Sequence, residues 1–254
     1  MENIFSLQGK TLLIAGGTRG IGRAISKQFV RAGARVVANY VRDEDSAEAL
    51  RSELADEGHP ILLCRADLTS SQGLANLARF MTENSESLSG LVYCAATGVH
   101  RSLEELTARH YEWTFALNVR GFFDLVKLLL PRFSSPASIV ALSSQGALQA
   151  MPAYSLVGAS KGALESLARH LAMELAPRGI RVNILSPGSV LTKAWEAMPD
   201  REARLAEVRR RSPIGRLIEP EEVALAAQFL CSEASAGLIG HTLVVDGGFR
   251  LVGV

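Results

Sequence analysis

The sequence predicts an α/β fold: one doubly wound domain, residues 1–254, with a parallel sheet flanked by helices. Two observations predict it. Short apolar, β-rich runs alternate with segments of helical period, with no internal repeat and no low-complexity linker between them. The first of those runs opens into a glycine turn that leads directly into a helix, the arrangement by which such folds bind phosphate. Composition agrees, since 48% hydrophobic and 21% charged residues describe a globular chain with a large core.

Taken in order, Lys10–Ala15 reads as a strand buried on both faces. Gly16-Gly17-Thr18-Arg19-Gly20-Ile21-Gly22 follows, and a helix runs from Ile21 to about Ala32. Glycines there let the backbone approach a pyrophosphate, which the free amides of the first helical turn then bind; a tight turn without ligand has the same composition. Arg35–Tyr40 is the second strand. Folds that prefer NAD place an acid near its end, yet here Asn39-Tyr40-Val41-Arg42 precedes the first acid, Asp43. Arg42 with Arg19 could form a cationic clamp on a 2′-phosphate, which favours NADPH, although two solvated arginines would read alike.

A helix over Asp45–Glu57 leads to a strand at Ile61–Cys64 and to Asp67-Leu68, where a carboxylate at the strand's end could accept the adenine amino group. After a helix at about Ser71–Glu83 comes the strand Leu91–Cys94, then the small residues Ala95, Ala96 and Gly98, which suit a flat ligand. A long amphipathic region, about Thr107 to Arg132, holds Asn118 in an apolar setting. The fifth strand, Ala137–Leu142, ends in Ser143-Ser144, placing a hydroxyl where open α/β sheets bind ligands. Met151-Pro152 begins a helix that continues to about Ala176. It carries Tyr154 and Lys161, seven residues or nearly two turns apart, so both project from one face. An ammonium beside a phenol lowers its pKa from about 10. Ile180–Leu185, a helix at Glu219–Ser232 and a strand at His241–Val245 complete the series. Between them, residues 193–212 change character, with Arg201, Arg204, Arg209, Arg210 and Arg211 among small apolar residues. That segment reads as an amphipathic helix pair forming a lid over the site.

With 27 basic and 26 acidic residues the chain carries a net charge of +1, which predicts no general affinity for nucleic acid or membrane. No apolar run approaches the roughly 18 residues of a spanning helix, and the N-terminus lacks a secretion signal. Cys64, Cys94 and Cys231 are odd in number and lie among apolar residues, as reduced cysteines of a cytoplasmic protein would. The five histidines form no close pair, so no metal is expected.

Over nearly its whole length the sequence resembles the short-chain dehydrogenase/reductases. Gly16-x-x-x-Gly20-Ile21-Gly22, Asp67-Leu68, Asn118, Ser143-Ser144, Lys161, Ser186-Pro187-Gly188 with Thr192, and Asp246-Gly247-Gly248 carry the resemblance in the right order. It implies a seven-stranded Rossmann sheet, a homotetramer, and a nicotinamide cofactor held by the glycine loop, Ala95, Lys161, Pro187, Gly188, Val190 and Thr192. Two departures select a branch. The family's usual Tyr-x-x-x-Lys would put tyrosine at position 157, where this chain has Val157, and the usual Asn-Asn-Ala-Gly is here Tyr93-Cys94-Ala95-Ala96. Tyr154-x6-Lys161 is similar to the NADPH-dependent enoyl-acyl-carrier-protein reductases of fatty-acid biosynthesis.

The displacement has a chemical reason. In ketone reduction the proton goes to the oxygen on the carbon that receives hydride, whereas in a 2-enoyl thioester hydride reaches C3 and charge gathers on the thioester oxygen. Moving the tyrosine back three residues shifts it about 4.5 Å along a helix axis. The resemblance implies that Tyr154 hydrogen-bonds the enolate oxygen while Lys161 binds the nicotinamide ribose. It also implies that Thr192 and the Val190 backbone hold the carboxamide, and that Asn118 supports the lysine through water. Ser144 matches the family's catalytic serine, with a role altered by the moved tyrosine. Residues 201–211 could meet an acidic acyl-carrier protein or form a solvated helix face. A carbonyl, 3-ketoacyl or enone reductase is the alternative, and a non-catalytic NADP-binding protein a third reading.

Overall fold

The computed structural model describes residues 3–192 and 201–251. Seven strands form one all-parallel sheet in the order β3-β2-β1-β4-β5-β6-β7. They are β1 Thr11–Ala15, β2 Arg35–Tyr40, β3 Leu62–Arg65, β4 Leu88–Tyr93, β5 Phe133–Leu142, β6 Ile180–Pro187 and β7 Thr242–Val245. Helices α1 Gly20–Arg31, α2 Glu44–Asp56 and α8 Pro220–Cys231 belong to one face, and α3 Ser71–Asn84, α5 Phe122–Leu129 and α6 Ser155–Leu175 to the other. The Rossmann architecture expected from the sequence is therefore present.

Strand residues alternate between the two cores, as a pleated backbone requires. Leu12 and Ile14 pack with Ile25 and Phe29 of α1 and Leu230 of α8, whereas Leu13 and Ala15 pack with Leu77 of α3, Phe122 of α5 and Leu164 of α6. Each fully buried Leu or Phe contributes about 1.5–3 kcal/mol, so both faces are held by the same apolar strands. Local signals set the helix starts: Asp43 accepts from the Ser46 amide at α2, and Ser70 from the Gly73 amide at α3.

Two of these segments differ from the expectation. The long amphipathic region of residues 107–132 divides into α4 Ala108–Phe115, a π-helical turn Ala116–Gly121, and α5. The buried Tyr93 hydroxyl donates to the Leu117 carbonyl at 2.6 Å and lies 2.7 Å from where a Gly121 Cβ would stand. A side chain has thus entered the helical ladder. The helix of Lys161 starts at Ser155, not at Met151-Pro152, because Ala153 takes φ +56° and Tyr154 is left at the cap with φ −122°. Finally, of the expected pair of lid helices only α7 Arg201–Arg211 is described; residues 193–200 lie outside the described part.

Sheet order reverses between β1 and β4, and the strand ends there open a crevice. Everything below is arranged along that edge.

Candidate active site

The loop from β1 to α1 is shaped for close backbone approach. A Cβ on Gly22 would stand 2.1 Å from the Gly16 carbonyl oxygen, and one on Gly17 would meet Ala38, Ile14 and Ser26 at 2.9 Å. Gly16 (φ +73°) and Gly20 (φ +49°) adopt left-handed backbone, which glycine tolerates at no steric cost. Beyond the loop lies a cavity of about 300 Å³. Gly16, Thr18 and Arg19 line it from one side, Tyr40 and Arg42 from the end of β2, and Leu68 and Ala95 from the ends of β3 and β4. This cradle fits the pyrophosphate and adenosine of a dinucleotide. Ile21 lies partly covered in the first turn of α1, and the exposed Asp67 accepts from the Thr69 amide at 2.9 Å. Asn39, which the sequence offered only as a missing acid, knits the cradle together. Its side-chain amide donates to the Cys64 and Ala66 carbonyls, and its backbone carbonyl accepts from the Gly17 amide.

Both arginines of the expected clamp line the cavity. Arg19 Nη1 reaches Asp43 Oδ2 at 3.1 Å, while Arg42 is exposed on the cavity rim. Asp43 is held below its usual pKa first by the Ser46 amide and hydroxyl, then by Arg19. A carboxylate already fixed as a helix cap thus holds Arg19 at the edge of the cavity.

Along the same edge, Pro187 closes β6, and Gly188 donates its amide to the Val245 carbonyl. Val190 is buried and bridges in parallel to Ile218. Thr192 Cγ2 lies 3.7 Å from where a Gly20 Cβ would stand, so the segment after β6 returns to the glycine loop.

Tyr154 and Ser144 meet, with 3.2 Å between their hydroxyl oxygens. Gly146 makes room for the tyrosine ring, and Gly158 lies at ordinary contact distance from it. A Cβ on Gly146 would stand 2.4 Å from Tyr154 Cε1, and one on Gly158 would stand 3.5 Å from Cδ1. His100 covers the ring from the loop after β4, with ring centroids 5.2 Å apart. No sequence signal marked Gly146, Gly158 or His100, because the cleft brings them together from separate elements. Val157, at the family's usual tyrosine position, is buried against Gly98: a Cβ on that glycine would stand 2.3 Å from Val157 Cγ2.

Lys161 does not act on Tyr154 as its position on the helix suggested. Its Nζ donates to the Leu142 carbonyl at 2.7 Å. Burial lowers its pKa to about 8, opposed by Cys94 and by Glu165 one turn along α6. Burial also pushes the Tyr154 phenol above its ordinary value, and only the Ser144 hydrogen bond opposes that. The expectation of a phenol acidified by its ammonium neighbour is therefore overturned. Tyr154 stands at the cap outside α6, which removes it from the helical spacing the expectation assumed. Glu165 is itself buried, accepting from Ser143 Oγ at 2.6 Å and lying 3.6 Å from Arg169. Its spacing of four residues from Lys161 and Arg169 was the signal available for it.

Asn118 is fully buried in the π-helical turn. Its Oδ1 accepts from the Thr97 amide at 2.8 Å, and its Nδ2 donates to the Thr97 carbonyl and to Ser160 Oγ, each at 2.9 Å. Both amide hydrogens are thereby engaged, so the side chain ties the loop after β4 to α6. Burial raises the thiols of Cys64 to about 11 and of Cys94 and Cys231 to about 12, which leaves all three unreactive as nucleophiles near neutral pH. Among the described residues no group of three acidic, histidine or cysteine side chains could hold a metal, and no helix is long and apolar enough to cross a membrane.

A family model described as Enoyl-(Acyl carrier protein) reductase matches residues 15–250. A short-chain dehydrogenase/reductase of Serratia marcescens superposes with a TM-score of 0.89 at 30% identity, over 96% of this chain and 98% of that one. The chain is a short-chain dehydrogenase/reductase. Other members of the family show its breadth. A rhamnolipid-biosynthesis 3-oxoacyl-[acyl-carrier-protein] reductase of Pseudomonas aeruginosa is 34% identical, over 99% of this chain and all of its own. A 1-cyclohexenylcarbonyl-CoA reductase of Streptomyces collinus is 31% identical, covering 94% and 86%. A putative NAD(P)-dependent gluconate 5-dehydrogenase of Beutenbergia cavernae, solved with bound NADP, has a TM-score of 0.89 at 32% identity, covering 98% and 100%. As a short-chain dehydrogenase/reductase, the chain is an oxidoreductase; which bond it reduces depends on the cleft.

Proposed function

We propose that the protein reduces the C2=C3 double bond of a 2-enoyl thioester with NADPH. The observation that carries this reading is the slot built for Tyr154. Gly146 and His100 shape it, while Val157 fills the usual donor position and packs on Gly98. A phenol entering from the cap suits an oxygen removed from the carbon that accepts hydride. The relative whose name specifies a CoA thioester supports the substrate class, as does the description of the matching family model.

NADPH, held by the residues named below, would supply a hydride for C3 of the substrate. As the π electrons move toward the thioester oxygen, the Tyr154 hydroxyl donates to it and stabilises the enolate. A proton from solvent at C2 completes the saturated thioester. The burial-raised phenol stays protonated at neutral pH, which a donor requires. Ser144 orients it across 3.2 Å. Lys161, fixed by the Leu142 carbonyl, keeps further N–H donors for the nicotinamide ribose. Gly16 to Gly22 hold the pyrophosphate, Asp67, Leu68 and Ala95 flank the adenosine, and Pro187, Gly188, Val190 and Thr192 border the nicotinamide. Arg42 on the rim, joined by Arg19 on release from Asp43, supports the 2′-phosphate of NADPH.

The Ser144–Tyr154 contact also favours a second reading, because a hydroxyl pair at that distance can hold a ketone oxygen. NADPH absorbance with crotonyl and with acetoacetyl thioesters decides between them. Oxidation with the crotonyl thioester, lowered about 10²–10⁴-fold by Tyr154→Phe without loss of NADPH affinity, is expected. Turnover of the acetoacetyl thioester alone would establish the second reading, and NADPH binding without turnover of either would make the chain a cofactor-binding protein.

A further inference from the structure

Two buried charged side chains of α6 are tied to the end of β5, and the proposed reaction uses only one of them. Lys161 donates from Nζ to the Leu142 carbonyl at 2.7 Å. One helical turn along, Glu165 is 2% exposed, and its Oε1 accepts from Ser143 Oγ at 2.6 Å, a length typical of a charge-assisted hydrogen bond. The next residue, Ser144, meets the Tyr154 hydroxyl at 3.2 Å. Three consecutive residues at the strand end thus hold the ammonium, the carboxylate and the phenol in turn. Ser143 is also tied to β6, since its amide donates to the Leu185 carbonyl at 2.8 Å. Stability gives little reason for a charge at position 165. Desolvating a carboxylate is costly, and its ion-pair partner Arg169, 3.6 Å away, has a half-exposed side chain that returns little. The ionisable groups acting on Lys161 are Cys94, at the end of β4, and Glu165, both of which oppose the lowering by burial to about 8. Burial pushes the Cys94 thiol up to about 12 and the Tyr154 phenol above its ordinary value, so near neutral pH neither is charged. Of these groups Glu165 is the standing anion.

We propose that Glu165 is a positioning residue: its carboxylate anchors, through Ser143, the strand end that holds both Lys161 and Tyr154, and its negative charge favours the ammonium one turn away. This inference rests on the roles proposed above for Lys161 and Tyr154, and it is indifferent to which bond is reduced. The anchor acts on geometry, because releasing Ser143 frees the Leu142 carbonyl on one side and the Ser144 hydroxyl on the other. The charge acts on protonation, because a buried lysine without an anion beside it gives up its proton at lower pH. The two effects can be separated by substitution.

The test uses the full chain with Glu165→Gln, which keeps an acceptor for Ser143 but removes the charge, and Ser143→Ala, which removes the donor but keeps the charge. NADPH affinity is followed by fluorescence titration across a series of pH values. The weakening that sets in above about pH 8 in the wild type should set in at least about 0.5 pH lower in Glu165→Gln, and at the wild-type pH in Ser143→Ala. Chemical denaturation without cofactor gives a second reading. The folded lysine releases its proton at about 8 and the unfolded one at about 10.5, so stability rises with pH between them, and in Glu165→Gln that rise should begin lower. With crotonyl-N-acetylcysteamine at neutral pH, kcat of Ser143→Ala should fall about tenfold, with a smaller change in KM. An onset that stays in place in both pH measurements overturns the proposal, as does a Ser143→Ala kcat within about twofold of the wild type. If the wild type reduces no thioester, the proposed reaction fails separately, and the two onsets still decide on Glu165. If it binds no NADPH either, the denaturation onset decides alone. Should Glu165→Gln not fold, Arg169→Gln removes the cation 3.6 Å from the carboxylate at a half-exposed position, and the onset should then move to higher pH. An onset that stays or falls in that variant overturns the assignment.

Discussion

Replacing Gly146 with alanine would move the phenol without removing it. The new Cβ would stand 2.4 Å from Tyr154 Cε1 and 2.6 Å from Cδ1, against an ordinary contact distance of 3.4–4 Å. The ring must withdraw by about 1 Å, since the backbone of Gly146 is not in a conformation that alanine avoids. A misplacement of about 1 Å costs on the order of 10²-fold in rate, or about 2.7 kcal/mol of barrier. The assay follows NADPH absorbance with crotonyl-N-acetylcysteamine, and fluorescence titration of NADPH accompanies it. We expect kcat to fall about 10²-fold while NADPH affinity changes little, because the glycine loop is remote from Gly146. Adding Tyr154→Phe should then cost far less than it does in the wild type, since both changes disable one contact. Gly162→Ala on α6 is the control. Its Cβ would meet only the Ala147 carbonyl at 3.4 Å, and alanine in a helix should raise stability by about 0.5–1 kcal/mol without lowering kcat. A Gly146→Ala enzyme within about threefold of wild-type kcat would refute the idea that the slot positions Tyr154.

Asp43→Asn should release Arg19 while keeping the Ser46 cap, so the preference for NADPH over NADH should rise several-fold; an unchanged ratio of dissociation constants would count against the arginine site. Lys161 should give the apoprotein a pH signature in chemical denaturation. The unfolded lysine keeps its proton to about 10.5 and the folded one releases it at about 8, so in that window the unfolded state binds more protons and stability rises with pH relative to Lys161→Met. NADPH affinity should move the opposite way and weaken above about pH 8, as the ammonium loses its charge. Val157→Tyr should restore the family pattern at the wrong place for this chain. Overpacking against Gly98 should cost about 1–3 kcal/mol in denaturant unfolding, and wild-type stability would show that the position still accepts an aromatic ring.

The sheet was legible because its strands are buried on both faces and separated by turn residues, so Val36-Val37 or Ile139-Val140 could hardly be read otherwise. Arg35–Tyr40 was read to the residue. The failures occurred where long-range contacts override local period. No pattern in residues 107–132 reveals that Tyr93, from another strand, will take the Leu117 carbonyl and turn the helix into a π segment. Nor does Met151-Pro152-Ala153 reveal that Ala153 will adopt a left-handed conformation and hold Tyr154 outside the helix. The chemistry-bearing residues were named from sequence, but their electrostatics were not. Whether a phenol meets an ammonium or a serine depends on a cap angle.

That angle bears on how the cleft could change reaction without changing fold. A tyrosine inside α6 would be fixed by the helix that carries Lys161, and phenol and ammonium would move as one body. Tyr154 instead stands at the cap that starts the helix, with its ring against Gly146 and His100. Lys161 is fixed separately, by the Leu142 carbonyl at the end of β5. The donor and the cation thus rest on different side-chain partners, while the Tyr154 carbonyl still accepts from the Gly158 amide of α6 at 2.7 Å. Residues around the slot can select which oxygen is protonated while those around Lys161 still hold the cofactor. On this view the distinction between reducing a carbonyl and reducing a conjugated double bond lies in the Gly146–Tyr154 contact, and the glycine loop and the sheet are common to both.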